Sequence, residues 1–427
     1  MNEHDSVMMM GVLKSSNYHP TEDPLQADLI LVNTCSIREK VEQKVYSTLG
    51  RFKRLKENNP SLIIGVGGCM AQQEGERLFQ RVPFINMVFG TQSINRLPEL
   101  VKTVGENRTR LVDTSFSDFQ SRSLISQTPY RMKAYVSIMQ GCNNYCSYCI
   151  VPYVRGQERS RHREEILEEI RLLAESGVKE VTLLGQNVNS YGKDFHVKVD
   201  FSSLLSSIND VRGIERVRFI TSHPKDLSPQ LIHSFRELKK LCEHIHLPVQ
   251  SGSSSVLKRM NRQYSREEYL DKVEKLREIS PQMSITSDII VGFPGETEDE
   301  FKETLCLLEK VEFDDLFSFK YSDRPGVRAT TLPEKVDETV KSARLWRLQN
   351  FQKRYTLMRN KRMEGKTVEV LVEGESEKDP QKLTGRTRNN KVVNFEGTLG
   401  LRGHLVSVRI KRAFLHSLEG ELVVFVQ

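Results

Sequence analysis

One stretch of this sequence constrains its fold more than any other. Between about residues 133 and 322, short apolar runs alternate regularly with helical patterns. The runs are Ala134–Met139, Glu180–Leu184, Val217–Thr221, His244–Val249, Ile285–Val291 and Leu316–Tyr321. Helical periodicity is clearest at Arg163–Ser176 and Arg266–Ile279. Six βα units in series predict a parallel sheet with right-handed crossovers, curled into a partial (βα)6 barrel of the TIM type. Barrels of this kind place their chemistry on the loops that follow the strand C-termini.

The first such loop holds Cys142, Cys146 and Cys149 in a C-x3-C-x2-C spacing. Disulfides are not expected from seven cysteines in a chain without a secretion signal, and clustered cysteines point to metal ligation. A 4Fe–4S cluster ordinarily takes four cysteines, so three leave one iron open, as catalytic metal sites do. A zinc site or a structural cluster are the alternatives; zinc would want a fourth Cys or His, and the nearest following His is His162 in a basic run. The loops after the later strands carry Gln186 and Asn187, Ser222, Gln250, and Gly292–Glu296, whose polar groups suit ribose and amino-acid atoms. Each of these loops by itself also reads as an ordinary turn or helix cap.

On either side of the barrel the texture changes. Residues 1–115 alternate strands and helices: Asp28–Thr34 and Leu62–Gly67 read as buried strands, and Gln72–Phe79 as a helix. Cys35 and Cys69 stand just past those strands, at the edge where open α/β sheets build sites. The glycines before Cys69 are expected to admit a bulky ligand. Residues 116–129 are Ser-rich and read as a linker. Residues 338–363 read as a helix, and 341–366 carry nine Lys/Arg against one acid, Glu364. Such a helix suits a polyanion, or is a solvated face. From 366 onward five short β-type runs predict a small OB-like barrel. They are Thr367–Val372, Lys382–Arg388, Lys391–Phe395, Leu405–Ile410 and Glu421–Val426. No run of 18 apolar residues exists, so no membrane span and a cytoplasmic location are expected.

The cysteine loop, with Tyr148 before its last Cys and the βα series behind it, resembles the radical S-adenosylmethionine (SAM) superfamily. With Cys35 and Cys69 added, the whole chain resembles the methylthiotransferase family within it. Four stretches carry the likeness: MNEHDS, NTCSIREK, SIMQGCNNYCSYCIVPYVRGQERSR and LLGQNVNSYG. They resemble the branch acting on dimethylallyl-adenosine beside the tRNA anticodon; branches acting on threonylcarbamoyl-adenosine or on a ribosomal-protein aspartate are the alternatives.

The resemblance implies an α/β chain of three domains: an N-terminal methylthiotransferase domain (1–115), a radical SAM domain that includes the basic helix (130–360) and a TRAM β-barrel (361–427). It implies two 4Fe–4S clusters, one on Cys142, Cys146 and Cys149 and an auxiliary one on Cys35, Cys69 and a third cysteine. That third cysteine would stand two residues before Met1, in a motif of the form Cys-x-Met-Asn-Glu. A start upstream of Met1, or a truncated chain, is therefore expected. SAM is the implied cofactor, with Tyr148, Gln186, Asn187, Ser222, Gln250 and Asp288 as its candidate contacts. tRNA is the implied substrate, an electron-donating redox protein the implied partner, and the chain is expected to act as a monomer. Arg155, Arg159, Arg161 and Arg163 either position RNA or pair with the glutamates around them.

Overall fold

A four-stranded parallel sheet begins the chain, and it is buried on both faces because its strands are apolar on both sides. The computed structural model describes residues 1–35, 39–116, 132–197 and 199–423. In chain order the sheet region runs α1 (Asn2–Lys14), β1 (Leu29–Thr34), α2 (Glu39–Asn58), β2 (Ile63–Gly68), α3 (Cys69–Glu74), α4 (Arg77–Arg81), β3 (Met87–Phe89), α5 (Leu97–Asn107) and β4 (Leu111–Asp113). The strand order is β1-β2-β3-β4, all parallel. Ile64 and Val66 pack with Leu49 and Leu78 on one face. Met87 and Phe89 pack with Met9, Val12 and Leu97 on the other.

The helix expected over Gln72–Phe79 is two short helices instead, broken at Gly75 with φ near 51°. Two of the glycines before Cys69 are required by the sheet itself. A Cβ on Gly67 would lie 2.3 Å from the Phe89 ring, and one on Gly65 2.8 Å from Leu31. They make room for core side chains within the sheet.

The chain divides into two compact units, Met1–Pro129 with Met139–Tyr145 and Cys149–Glu165, and Tyr130–Ile138 with Cys146–Tyr148 and Ile166–Gln427. β5 (Lys133–Ser137) lies in the second unit; β6 (Met139–Gln140), α6 (Val151–Arg155) and β7 (Arg159–Ser160) lie in the first, where β6 and β7 pair antiparallel. The stretch expected as a linker falls, from 117 onward, outside the described residues.

The second unit holds the barrel. After α7 (Arg163–Glu175) come β8 (Glu180–Leu184), α8 (Phe201–Asn209), β9 (Arg216–Phe219), α9 (Pro229–Glu237), β10 (His244–His246), α10 (Ser254–Arg259), α11 (Arg266–Ile279), β11 (Ser284–Val291), α12 (Glu298–Val311) and β12 (Asp315–Lys320). The strands form two parallel triplets, β5-β8-β9 and β10-β11-β12, linked by a bridge between Val217 and Leu241. Capping boxes start α8, α11 and α12: Asp200, Ser265 and Thr297 each accept the N–H three residues on. The parallel order and the strand positions are as the sequence predicts.

The basic helix is α13 (Glu338–Lys361). Five of the nine cations of 341–366 are paired with carboxylates: Lys341 with Glu338 of the helix itself, and Arg344 with Glu296, Arg347 with Glu298, Arg359 with Asp314 and Arg362 with Glu312. Much of the charge that suggested a polyanion therefore ties the helix to the barrel; Lys353, Arg354, Lys361 and Lys366 stay exposed.

Five strands close the chain as a barrel in the order β13-β14-β15-β17-β16: β13 (Thr367–Ser376), β14 (Asp379–Thr387), β15 (Val392–Glu396), β16 (Leu405–Ala413) and β17 (Leu418–Leu422). Val370, Val372, Phe395, Val408 and Ile410 fill it. Arg216, wholly buried, donates to the Glu369 carboxylate at 2.8 Å and to the Arg386 carbonyl at 2.7 Å, seating this barrel on β9. Among the described residues no helix is long and apolar enough to cross a membrane.

Candidate active site

The cysteine loop is drawn tight by its glycine. Gly141 has φ near 80°, and a Cβ there would meet the Gln157 carbonyl at 1.9 Å. The Cys142 N–H donates to the Gly156 carbonyl at 3.1 Å. Cys142 and Cys149 belong to the first unit and Cys146 to the second.

Cys146 is buried, and its sulfur receives two N–H groups. Arg262 Nη1 lies 3.4 Å from Cys146 Sγ and His223 Nε2 lies 3.9 Å from it. Arg262 is itself fixed: Nη2 donates to the Pro248 carbonyl at 2.6 Å, Nε to the Tyr264 hydroxyl at 2.9 Å and Nη1 to the Tyr148 hydroxyl at 3.4 Å. Burial works against its charge, but Tyr148, Tyr264 and Cys146 outweigh burial and hold it protonated. His223 Nδ1 accepts the Lys225 N–H at 3.2 Å, which leaves the ring proton on Nε2, facing the sulfur. Burial, aided by Arg262 and Lys225, pushes His223 far below its usual value, so the ring is neutral. A guanidinium and an imidazole N–H on one sulfur fix its position, as neighbours of an iron ligand would.

The other candidate residues of the second unit differ in how they are engaged. Asn187 is consumed by the protein: Nδ2 donates to Asp226 at 2.7 Å and Oδ1 accepts the His223 N–H at 3.0 Å. Ser222 is buried, and its hydroxyl has no protein partner. Gln250 is buried with φ near 76°. Its backbone bridges β11, the N–H donating to the Asp288 carbonyl at 2.9 Å. The Asp288 carboxylate lies 3.5 Å from His246 Nε2. Gln186, next to Asn187 in sequence, is half-buried.

In the first unit, β1 and β2 run in register through Thr34 and Gly68, so Cys35 and Cys69 leave adjacent strand ends together. Cys69 accepts Arg155 Nε–H at 3.3 Å, and Arg155 Nη2 lies 2.5 Å from the Asp5 carboxylate of α1. Both charged groups are buried. Burial works against the Arg155 charge, but Asp5 and Cys69 raise it, so the guanidinium stays charged. Sequence reasoning placed Arg155 with RNA or with nearby glutamates; it serves Cys69 instead, and only folding α1 against α6 could reveal that. Of the other arginines of that run, Arg161 pairs with Glu165 at 3.9 Å and Arg163 with Glu164 at 3.2 Å. Among the described residues no three His, Cys, Asp or Glu side chains close on a metal-ion position, Cys142, Cys146 and Cys149 included.

Comparison with known proteins finds three matched regions along the chain. Residues 136–308 match the Radical SAM superfamily, 1–90 match the Uncharacterized protein family UPF0004, and 361–423 match the TRAM domain. A tRNA-2-methylthio-N(6)-dimethylallyladenosine synthase from Syntrophus aciditrophicus is 52% identical over 99% of this chain and 92% of its own length. Its namesake from Geobacter metallireducens is 51% identical over 100% of this chain and 96% of its own length. Among solved structures, the radical S-adenosylmethionine methyltransferase TsrM from Kitasatospora setae, with cobalamin and a 4Fe-4S cluster bound, aligns with a TM-score of 0.57. That alignment covers 77% of this chain and 74% of that one at 14% identity, and speaks for the fold alone.

Proposed function

The chain belongs to the radical SAM methylthiotransferases of the tRNA-2-methylthio-N(6)-dimethylallyladenosine synthase family, and from that premise we propose that it replaces the C2 hydrogen of N6-dimethylallyladenosine, beside the tRNA anticodon, with a methylthio group. The observation that carries the reading is the pair of N–H donors on Cys146 Sγ, one of them a buried, fully braced guanidinium. Iron–sulfur and SAM chemistry comes with the family. When bound, a 4Fe–4S cluster with an open iron supplies the electron that splits SAM, and a second cluster the sulfur.

Cys142, Cys146 and Cys149 would hold the first cluster. Arg262 and His223 hold the Cys146 sulfur in one place and keep negative charge on it favourable. The His223 ring is locked as an N–H donor by Lys225, so it does not serve as a base. Asn187 braces the His223 backbone and so acts as a positioning residue. The orphan Ser222 hydroxyl, at the end of β9, suits a polar atom of SAM. Cys35 and Cys69 would hold the second cluster, with Arg155 donating to Cys69 as Arg262 does to Cys146. The β-barrel at 361–427 and the exposed Lys353, Arg354 and Lys361 would meet RNA phosphates. We keep 1–115, 130–360 and 361–427 as the domain limits of this reading, and a redox protein as electron donor to a monomeric enzyme.

The test is expression in a bacterial host that lacks the modification, followed by mass spectrometry of its tRNA nucleosides. Methylthiolated dimethylallyladenosine is the expected product. Unmodified dimethylallyladenosine, or a methylthio group on threonylcarbamoyl-adenosine instead, would refute the substrate assignment.

A further inference from the structure

Two large aromatic side chains stand half out of the protein at the edge of the cysteine loop. Tyr145 is 46% exposed and Tyr153 is 51% exposed. Their ring centroids lie 6.1 Å apart and their planes cross at 79°. In that arrangement one ring turns its edge to the other and keeps its own faces clear of it. A single exposed aromatic needs no explanation. Two in contact do, because each leaves apolar area in water that a core would remove.

The loop holds the pair in place. Tyr145 has φ near 46°, a left-handed backbone that a bulky side chain rarely adopts. Such strain persists only where the surroundings impose it, and it collects at functional sites. Here three hydrogen bonds pin the loop just before Tyr145. The Cys142 N–H donates to the Gly156 carbonyl at 3.1 Å, the Asn143 N–H to Glu158 Oε1 at 3.3 Å, and the Glu158 N–H back to Asn143 Oδ1 at 3.1 Å. β6 and β7 pair at the base of the loop, with Gln140 opposite Arg159, and Arg159 is exposed. Tyr153 stands on α6. All of these residues lie in the first unit, where Tyr145 follows Cys142 by three residues and Tyr153 follows Cys149 by four.

Exposed rings, with an exposed arginine on the strand that anchors their loop, have the composition of a surface for unpaired nucleic acid. Every base has a flat face to lay on a ring, and a cation meets the phosphates. The reaction adds a second reason. To reach C2 of the target adenine, the enzyme draws that base out of the loop stack. The base next to it then loses a stacking partner. We propose that Tyr145 and Tyr153 form a stacking platform for that neighbouring base, replacing the partner that extrusion removes. The inference rests on the tRNA reading above and deepens it, by assigning the residues that hold the loop open around the modified position.

The experiment uses the full chain, reconstituted without oxygen, and an anticodon stem-loop RNA that carries dimethylallyladenosine. The RNA is made with each other loop position in turn lacking its base, and binding is measured at one salt concentration. The wild type should lose affinity about 5- to 150-fold when the base on one side of the modified adenosine is missing. Tyr145→Leu and Tyr153→Leu together keep apolar bulk and remove both ring faces. That chain should bind the intact RNA more weakly by a similar factor and lose nothing further at that position. Tyr145→Phe and Tyr153→Phe together keep the rings and should match the wild type. The dependence on salt should be the same in all three, because no phosphate contact is removed. Iron content and melting are measured for each chain, and Tyr153→Leu alone, with the cysteine loop untouched, should show part of the loss.

Leu variants that bind and scan like the wild type would overturn the proposal and reassign the pair to a protein partner. Phe variants that fall as far as the Leu variants would place the effect in the hydroxyls and overturn it equally. A wild type that binds the stem-loop but tolerates loss of either neighbouring base would end this inference and leave the tRNA reading standing. A wild type that does not bind the stem-loop at all would sink both.

Discussion

Arg262 is the residue whose replacement should speak most clearly about the radical site. Four acceptors converge on its guanidinium: Cys146 Sγ, the Tyr148 and Tyr264 hydroxyls and the Pro248 carbonyl. Arg262→Met keeps the bulk and removes every donor. A hydrogen bond to a charged partner is worth ~1.5–3 kcal/mol. If about half of that distinguishes the reduced cluster from the oxidised one, the potential falls by roughly 30–60 mV, at about 59 mV per 1.4 kcal/mol for one electron. The direction is downward because the lost N–H and positive charge favour the more negative, reduced state. The assay is a redox titration of the anaerobically reconstituted chain, followed by electron paramagnetic resonance. Leaving the Pro248 carbonyl unpaired also costs about 1–3 kcal/mol of stability, so melting is measured beside it. Arg262→Lys, which restores a positive charge, should recover part of the shift. A folded Arg262→Met variant with the wild-type potential would show that the guanidinium only packs against the site.

Three other outcomes follow from the same geometry. Arg155→Met removes the donor to Cys69 and leaves Asp5 buried without its partner; the loss should be ~3–5 kcal/mol in urea unfolding. Reconstituted iron should fall by one cluster's share, with Arg155→Lys intermediate, and unchanged iron in a folded variant would remove Arg155 from the second site. Ser222→Val should weaken SAM binding about 2- to 12-fold while leaving melting unchanged or raised, since an unpartnered hydroxyl is removed; equal affinity would take Ser222 out of the SAM contacts. Burial, with Arg218 adding, pushes His244 from its ordinary 6.5 down to about 3. The unfolded chain thus takes up a proton that the folded one refuses, and stability that is full above about pH 6.5 is lost as pH falls toward 3, ~2 kcal/mol of it by about pH 5. Melting between those two pH values should flatten in His244→Gln, and identical slopes in both proteins would contradict this.

What the sequence showed and what it hid have physical reasons. The strands of the barrel were legible because each is a short apolar run between polar helices; Glu180–Leu184 and the helix Arg266–Ile279 match to the residue. The strands at Met87–Phe89 and Leu111–Asp113 passed unnoticed, since three residues give no period to read. α1 was missed as well; its apolar positions Met9 and Val12 face a core assembled from far along the chain. Iron-ligand candidates were legible from spacing alone. Their donors were not, because Arg262 is 116 residues from Cys146 and Arg155 is 86 from Cys69. The charge of the 341–366 segment misled in the opposite sense, because a count of lysines and arginines does not show the carboxylates Glu296, Glu298, Glu312 and Asp314 that meet them. Asn187 and Asn189 look alike in sequence, and only the fold shows that one amide is fully bonded and the other is bare.

The measurement that bears most directly on the central claim uses the anaerobically reconstituted chain with SAM, a reductant and tRNA carrying dimethylallyladenosine, beside Cys146→Ala. Mass spectrometry quantifies 5′-deoxyadenosine and the methylthio-nucleoside together. The account predicts both products from the wild type and neither from the variant. A wild type that holds iron yet forms no 5′-deoxyadenosine, or a Cys146→Ala chain that forms as much as the wild type, would contradict it.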